Sequence, residues 1–197
     1  MDATELESTG RERLQVGWRA LGARILAIDV AFFRLLAAFP LPKAIAWPLI
    51  LLVRVGDGWI WGIIAVALWF ALPFAQVETV VLQCALAIAV SLCIYLPVKF
   101  IAKRLRPYDS GLDVTPMVPP LDKYSFPSGH TMNNLAVSLV LTLHFPRLLV
   151  PAVFFPLLLG TLRVLFGVHY LSDILGGGLL GICAFSLAKA VFPFITF

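Results

Sequence analysis

The sequence predicts an all-α fold: a polytopic membrane helical bundle of about six transmembrane helices, with an N-terminal interfacial amphipathic helix. Composition is the first observation behind this prediction, because hydrophobic residues make up 60% of the 197 residues and charged residues only 13%. Soluble domains carry about 25% charged residues. The second observation is that the apolar residues form separate runs, each near the ~20 residues that a helix needs to cross the hydrocarbon core. The clearest runs are 59–76, 79–102, 129–145, 148–167 and 173–195.

The first forty residues differ from the rest, so we divide the chain into an N-terminal segment, 1–40, and a transmembrane domain, 41–197. Charged residues such as Asp29 and Arg34 interrupt the apolar positions of this segment. Such a mixture is typical of an amphipathic helix that lies in the membrane interface. Pro40 is expected to end that helix.

The run 43–55 is the shortest candidate span. With a rise of 1.5 Å per residue, roughly 14 residues cover about 21 Å of a hydrocarbon core that is about 30 Å thick. The run therefore crosses the membrane only if its helix extends at both ends. Gly56-Asp57-Gly58 follows it and is interpreted as a turn.

The predicted topology brings three connections to one side of the membrane. With six spans both termini share a side, and the turn at 56–58, the loop 103–127 and the turn 167–173 share the other. The loop is polar and proline-rich, and loops of this length in compact proteins are usually functional or disordered. If the basic residues of the loop serve a site, they are not counted in the positive-inside rule. The rule then places the termini in the cytoplasm. With five spans the N-terminus would lie outside.

The formal net charge is +4, and several basic residues cluster near this loop: Lys99, Lys103, Arg104, Arg106 and Lys123. No basic soluble domain is present to hold a duplex, so we expect an anionic substrate or lipid headgroup and no nucleic acid. Lys99 and Arg106 are seven residues apart and would share a helix face if the helix continues through Arg104. Charges at the end of a membrane helix usually face a cavity or a functional site. The alternative is snorkelling, which we expect for Lys103 and Arg104.

Ser128-Gly129-His130 begins the next predicted helix. A serine cap and the free backbone N–H groups of a helix start can bind an anion. The alternative is a simple helix cap followed by a packing histidine. His144 fits such a packing role near the opposite membrane face.

Arg163, His169 and Asp173 form the third group. On a helix, a spacing of four lets Asp173 reach one ring nitrogen of His169 and leaves the other free to attack. The guanidinium of Arg163 suits bidentate contact with a phosphate. The alternative is a structural His–Asp pair beside a snorkelling arginine.

Together the three groups supply three cations, a helix N-terminus, two histidines and one carboxylate. Phosphoryl transfer needs cations on the phosphate oxygens, an in-line nucleophile and an acid for the leaving group. No cluster with metal-ligand spacing is evident in the sequence. We therefore expect neither a metal nor another cofactor, with the cations in the place of Mg²⁺.

These residues resemble the three signature motifs of the type 2 phosphatidic acid phosphatase superfamily of integral membrane lipid phosphatases. The motif K-x6-R-P matches Lys99, Arg106 and Pro107, and P-S-G-H matches 127–130 in full. The motif S-R-x5-H-x3-D matches at Arg163, His169 and Asp173. One position departs, because Leu162 stands where the family has a serine that is similar to an auxiliary phosphate ligand.

The resemblance implies a role for each residue. His169 would be the nucleophile that forms a phosphohistidine, and Asp173 would orient it. His130 would protonate the leaving group and then activate water. The phosphate would be held by Lys99, Arg106, Arg163, Ser128 and Gly129.

The resemblance also implies six helices, a metal-independent reaction and lipid phosphate substrates. Bacterial members act on undecaprenyl diphosphate, phosphatidylglycerophosphate, phosphatidic acid and lipid A phosphates. The short chain resembles these members, and we expect an isoprenoid diphosphate or a related lipid phosphate. The expected location is a bacterial inner membrane, with the site facing the periplasm.

Two other functions stay open at this point. A lipid phosphotransferase could use the same histidine and pass the phosphate to a lipid acceptor. A lipid-phosphate-binding or transport protein could carry a degenerate site, which only Leu162 favours. Vanadate-dependent haloperoxidases share the site pattern, but they are soluble and this chain is not expected to be.

Overall fold

The computed structural model describes residues 3–37, 41–120 and 122–194. These residues form seven α-helices and no β-strand, which confirms the all-α prediction. The helices are α1 (Ala3–Ala37), α2 (Lys43–Val55), α3 (Trp59–Ala71), α4 (Phe74–Ala102), α5 (Gly129–His144), α6 (Leu149–Leu165) and α7 (Leu171–Val191). Short 3-10 turns occupy Pro107–Asp109, Pro146–Leu148 and Phe192–Phe194.

Helix length and apolarity identify fewer spans than the six predicted. In the described part of the chain, Phe74–Asp109, Pro146–Leu165 and Leu171–Val191 are each long and apolar enough to cross a membrane. Helices α2 and α3 meet at an angle of 66° across a short break and together count as at most one further span. The structure thus contains three or four candidate spans by these criteria.

Helix α5 lies at the centre of the bundle and packs against α4, α6 and α7. Its buried residues Met132, Ala136 and Val140 meet small residues of the neighbouring helices, Ala87 and Ala184 among them. Side chains this small allow the helix backbones to approach closely, which is the usual way helices pack in membranes.

Two glycines of α7 make the closest approach to α5 possible. A Cβ atom on Gly177 would lie 2.6 Å from the backbone oxygen of Ser128, and one on Gly181 would lie 2.7 Å from that of Met132. The glycines therefore fix the N-terminal end of α5 directly against α7.

Helix α1 packs against one end of the bundle. Asp29 is buried there, and Phe33 packs against Val164 of α6 and Ile174 of α7. The interfacial placement of this helix stays a prediction. The predicted end at Pro40 and the domain boundary at residue 40 lie outside the described residues.

Helix α4 ends where the apolar run 79–102 ends in the sequence. The helix ends at Ala102, and Lys103 follows in the left-handed conformation, with a φ of 46°. A shared helix face for Lys99 and Arg106 required the helix to continue through Arg104. That condition is not met, so the two residues do not share a helix face. Because the chain turns at Lys103, Arg106 instead reaches back toward the end of the bundle that holds Lys99.

Candidate active site

A cavity of about 340 Å³ opens at the end of the bundle where the break at 56–58, the loop after α4 and the turn after α6 meet. The three predicted groups converge on this cavity. Its lining includes Lys99, Arg106, Gly129, His130, Arg163 and His169. The two remaining predicted residues, Ser128 and Asp173, are buried behind this wall.

His169 and Asp173 are paired as the spacing predicts. The Nδ1 atom of His169 lies 3.4 Å from Oδ2 of Asp173, a close polar contact that is not aligned as a hydrogen bond. The other ring nitrogen, Nε2, lies 3.5 Å from Nη1 of Arg106. The carboxylate therefore faces Nδ1, and Nε2 is left beside a cation that contacts the cavity.

Burial lowers the pKa of His169 to about 4, although the carboxylate of Asp173 acts in the opposite direction. The imidazole is therefore neutral at pH 7. A neutral imidazole keeps a lone pair on one nitrogen, which is what a nucleophile requires.

Asp173 is held by a second set of contacts. Its Oδ2 accepts the backbone N–H of Tyr170 at 2.8 Å, and its Oδ1 accepts from Nη1 of Arg104 at 2.8 Å. Nη2 of Arg104 donates to Asp29 of α1 at 2.6 Å, and the guanidinium lies over the ring of Tyr170. The prediction that Arg104 snorkels is wrong, because the guanidinium pairs with two buried carboxylates.

Lys99 and Arg106 meet at one carboxylate, Asp122. Its Oδ1 lies 2.8 Å from Nζ of Lys99 and accepts from Nη2 of Arg106 at 2.7 Å. Nζ of Lys99 also donates to Oη of Tyr95 at 2.6 Å. Nη1 of Arg106 donates to the backbone oxygen of Val168 at 2.7 Å, which ties the loop to the turn before His169.

Asp122 carries a depressed pKa. Burial works to raise it, but the hydrogen bonds and charges of Lys99, Tyr95 and Arg106 outweigh burial and lower the pKa below its usual value. The side chain is therefore ionised at neutral pH and partly neutralises the two cations.

Arg163 and His130 also meet at one carboxylate, Asp57. Oδ1 of Asp57 accepts from Nη2 of Arg163 at 2.6 Å, and it contacts Nε2 of His130. That same Nε2 contacts Arg163. Asn134 fixes the geometry, because its Nδ2 donates to the backbone oxygens of Gly56 at 3.1 Å and His130 at 2.7 Å.

Ser128 acts as the cap of α5 in this structure. Its Oγ accepts from the backbone N–H of Thr131 at 3.5 Å, and its own N–H donates to the backbone oxygen of Asp173 at 3.0 Å. Gly129 lines the cavity beside the ring of Tyr95, where an added Cβ would lie 2.8 Å from Cε2. Any larger residue would therefore displace Tyr95 from Lys99.

The position that departs from the family motif faces away from the cavity. Leu162 is buried and packs with Val53, Leu159 and Phe166. The neighbouring hydroxyl of Thr161 donates to the backbone oxygen of Leu157 on an exposed face of α6. Neither residue brings a hydroxyl to the cavity.

Four charged residues near the site were not predicted as part of it: Asp29, Asp57, Arg104 and Asp122. A signal was available for two of them. Asp57 is the single acid between residues 30 and 77, and Asp29 stands in an apolar stretch. A lone acid in such surroundings usually has a buried cationic partner. Within the described residues, no group of three or more His, Cys, Asp or Glu side chains could hold a metal ion.

Comparisons with known proteins identify the family and the fold that this chain resembles. A family model described as the PAP2 superfamily matches residues 80–196. Phosphatidylglycerophosphatase B of Bacillus subtilis is 38% identical over 98 residues, and the match covers 44% of this chain and 45% of that protein. The chain therefore matches less than half the length of this relative.

Two solved structures share the fold. The crystal structure of a transmembrane PAP2-type phosphatidylglycerolphosphate phosphatase from Bacillus subtilis superposes with a TM-score of 0.69 at 25% identity, covering 93% of this chain and 96% of that one. Aquifex aeolicus LpxE superposes with a TM-score of 0.64 at 23% identity, covering 83% and 95%. Together with the apolar helices, this fold makes the chain an integral membrane protein.

Proposed function

We propose that this chain, which belongs to the PAP2 superfamily, is a membrane phosphatase that hydrolyses a lipid phosphate or diphosphate through a phosphohistidine on His169. One observation supports the proposal above the others: Lys99, Arg106 and Arg163 surround a single cavity that also contains His169 and His130. Three cations around one nucleophile provide the electrostatic stabilisation that phosphoryl transfer requires.

In the first step, Nε2 of His169 attacks the phosphorus, and the bond from phosphorus to the leaving oxygen breaks; this is the ester oxygen of a monophosphate or the bridging oxygen of a diphosphate. His130 gives its proton to that departing oxygen. Lys99, Arg106 and Arg163 hold the phosphate oxygens, with the backbone N–H of Gly129 and the first turn of α5 as further donors. Asp173 faces Nδ1 of His169, which favours the proton there and keeps the lone pair on Nε2.

In the second step, water attacks the phosphorus of the phosphohistidine. His130 takes a proton from the water, the P–N bond breaks, and inorganic phosphate leaves. The residues of the cavity supply every group in both steps, so we propose that hydrolysis needs no metal. For Ser128, the contacts support helix capping, and its hydroxyl as a phosphate ligand stays a prediction.

An apolar groove beside the cavity supports a lipid substrate. The groove has a volume of about 180 Å³ between α3, α4 and α5, and it shares Trp61 and Ile88 with the cavity. Its other walls include Ile64, Leu68 and Val137. An acyl or isoprenoid chain could lie there while its phosphate occupies the cavity.

The substrates to test first are phosphatidylglycerophosphate, for which the relative from Bacillus subtilis is named, and undecaprenyl diphosphate. Phosphate release from a panel of lipid phosphates in detergent, with EDTA present, tests the reaction class. We expect release that survives EDTA and is lost in His169→Ala. Release that needs a divalent metal, or that persists in the variant, would contradict the proposal.

We further propose a bacterial inner membrane location, with the cavity facing the periplasm and both termini in the cytoplasm. If each of α3 to α7 crosses the membrane, the chain makes five crossings between α3 and its C-terminal helix. A cytoplasmic N-terminus needs a sixth crossing, from α1 or α2. Labelling of a single cysteine near the N-terminus in intact cells distinguishes the two topologies, because five crossings would expose that cysteine to the periplasm.

A further inference from the structure

The two carboxylates that contact the cavity occupy equivalent positions. Oδ1 of Asp57 touches Arg163 and His130, and Oδ1 of Asp122 touches Lys99 and Arg106. Every cation in the proposed phosphate site is therefore paired with a carboxylate oxygen. Each Oδ1 atom thus contacts two side chains that act on the substrate in the proposed mechanism. The three cations would hold phosphate oxygens, and His130 would protonate the leaving oxygen.

We propose that Asp57 and Asp122 are built-in competitors for phosphate: their carboxylates occupy the cationic site when it is empty and are exchanged for phosphate oxygens when it is filled. This inference rests on the proposed function, because it takes the cavity to be the phosphate site. It adds a role for two residues outside the three motif groups.

Burial explains why such competitors are needed. The side chains of Lys99, Arg106 and Arg163 are only 4%, 2% and 4% exposed. A buried cation without an anionic partner is costly, so an empty site with three of them would destabilise the fold. With both carboxylates in place, the formal charge of the three cations and two acids is +1.

The placement of the two acids also suits exchange. Asp122 lies in the long loop 103–127, and its side chain is 36% exposed, so it can turn toward solvent when phosphate arrives. Asp57 has a second cation within reach, because Nη1 of Arg54 donates to its Oδ2 at 3.3 Å. Arg54 can therefore keep Asp57 paired after its Oδ1 gives up Arg163.

Exchange has a consequence for the products. A phosphate that must displace two carboxylates binds less tightly than one that meets three unpaired cations. The two acids therefore lower the affinity of the site for inorganic phosphate and speed its release. The rest of a lipid substrate makes apolar contacts that inorganic phosphate lacks, so the acids discriminate against the product.

The inference predicts the direction of a binding change. Asp57→Asn and Asp122→Asn keep the shape of each side chain and remove its charge, so inorganic phosphate should bind each variant about tenfold more tightly than it binds the wild type. If the two acids only supported the site, their loss would leave the cations less well positioned. Inorganic phosphate would then bind the variants more weakly than the wild type. The matched control is Asp113→Asn, an exposed acid that forms no ion pair among the described residues.

Calorimetric titration of inorganic phosphate into the full-length chain in detergent measures this affinity without turnover. Tighter binding in both variants and an unchanged control would support the inference, even if no lipid phosphate is hydrolysed. Unchanged or weaker binding in the variants would overturn it, even if the wild type is an active phosphatase. If Asp57→Asn does not fold, Asp122→Asn and Asp122→Ala in the half-exposed loop give the same test.

Discussion

Nη1 of Arg106 lies 3.5 Å from Nε2 of His169. The same guanidinium donates to the backbone oxygen of Val168, so the cation is fixed to the residue that precedes the histidine. A phosphate held by Arg106 would therefore lie next to the nitrogen that is proposed to attack it. This pairing links the first and third motif groups, which are far apart in the sequence.

Loss of the Arg106 guanidinium should reduce transition-state binding more than folding. Arg106→Gln removes one charge from the phosphate site, and we expect kcat/KM to fall by roughly 10²–10³-fold, as for other preorganised donors. Initial rates on a lipid phosphate in detergent measure this loss. Lys103→Gln, at an exposed position, is the control and should keep wild-type rates. Equal losses in both variants would contradict a specific role for Arg106.

The depressed pKa of His169 predicts how stability varies with pH. The ordinary value is 6.5 and the folded value is about 4, so the unfolded chain binds more protons between these limits. Stability should therefore fall as the pH is lowered from 6.5 toward 4, by up to ~1.4 kcal/mol per pH unit. Thermal unfolding in detergent across this range should show a smaller decline in His169→Asn than in the wild type. Parallel declines would show that His169 does not titrate with a depressed pKa.

Arg104 should prove to be a stabilising residue of the site. Arg104→Gln would leave the buried carboxylates of Asp173 and Asp29 without their shared cation, and loss of one partner of a buried pair costs about 3–5 kcal/mol. We expect a clear drop in the unfolding temperature measured in detergent. Arg34→Gln, an exposed change on α1, should have little effect. An unfolding temperature that is unchanged in Arg104→Gln would mean that this network does not support the fold.

Gly177 should not tolerate even a methyl group. In Gly177→Ala the new Cβ would meet the backbone oxygen of Ser128, 2.6 Å away, and would push the start of α5 from α7. Overpacking of this kind costs about 1–3 kcal/mol, and it would also displace His130. The neighbouring Gly178→Ala meets only an ordinary contact at 3.9 Å and serves as the control. Comparison of rates and unfolding temperatures tests this, and equal behaviour would be inconsistent with the close approach.

The convergence of the motif groups could be predicted because it depends on helix count and direction. Apolar runs of known length place successive connections at alternate ends of a bundle, so Lys99, His130 and His169 had to meet if the helices formed. The His169–Asp173 pair depends only on local spacing. These parts of the site can be predicted without knowing how the helices tilt.

The acids of the site could not be assigned because their partners are distant in the sequence. Asp57 lies 73 residues from His130 and 106 from Arg163, and Asp29 lies 143 from Ser172. Which cation each acid meets depends on the 66° angle at the α2–α3 break and on where α1 crosses the bundle. The direction of Arg106 could not be predicted for a similar reason, because the contacts of the loop that follows α4 decide where its side chain points.

In the proposed mechanism, His169 carries the phosphate during turnover. The most direct test is rapid quenching of the wild type with a lipid phosphate that is radiolabelled at phosphorus, followed by mapping of the labelled residue. We predict a label that is stable to alkali, labile to acid, located on His169, and absent from His169→Ala. A labelled His169→Ala, or turnover of the wild type without any phosphohistidine on His169, would contradict it.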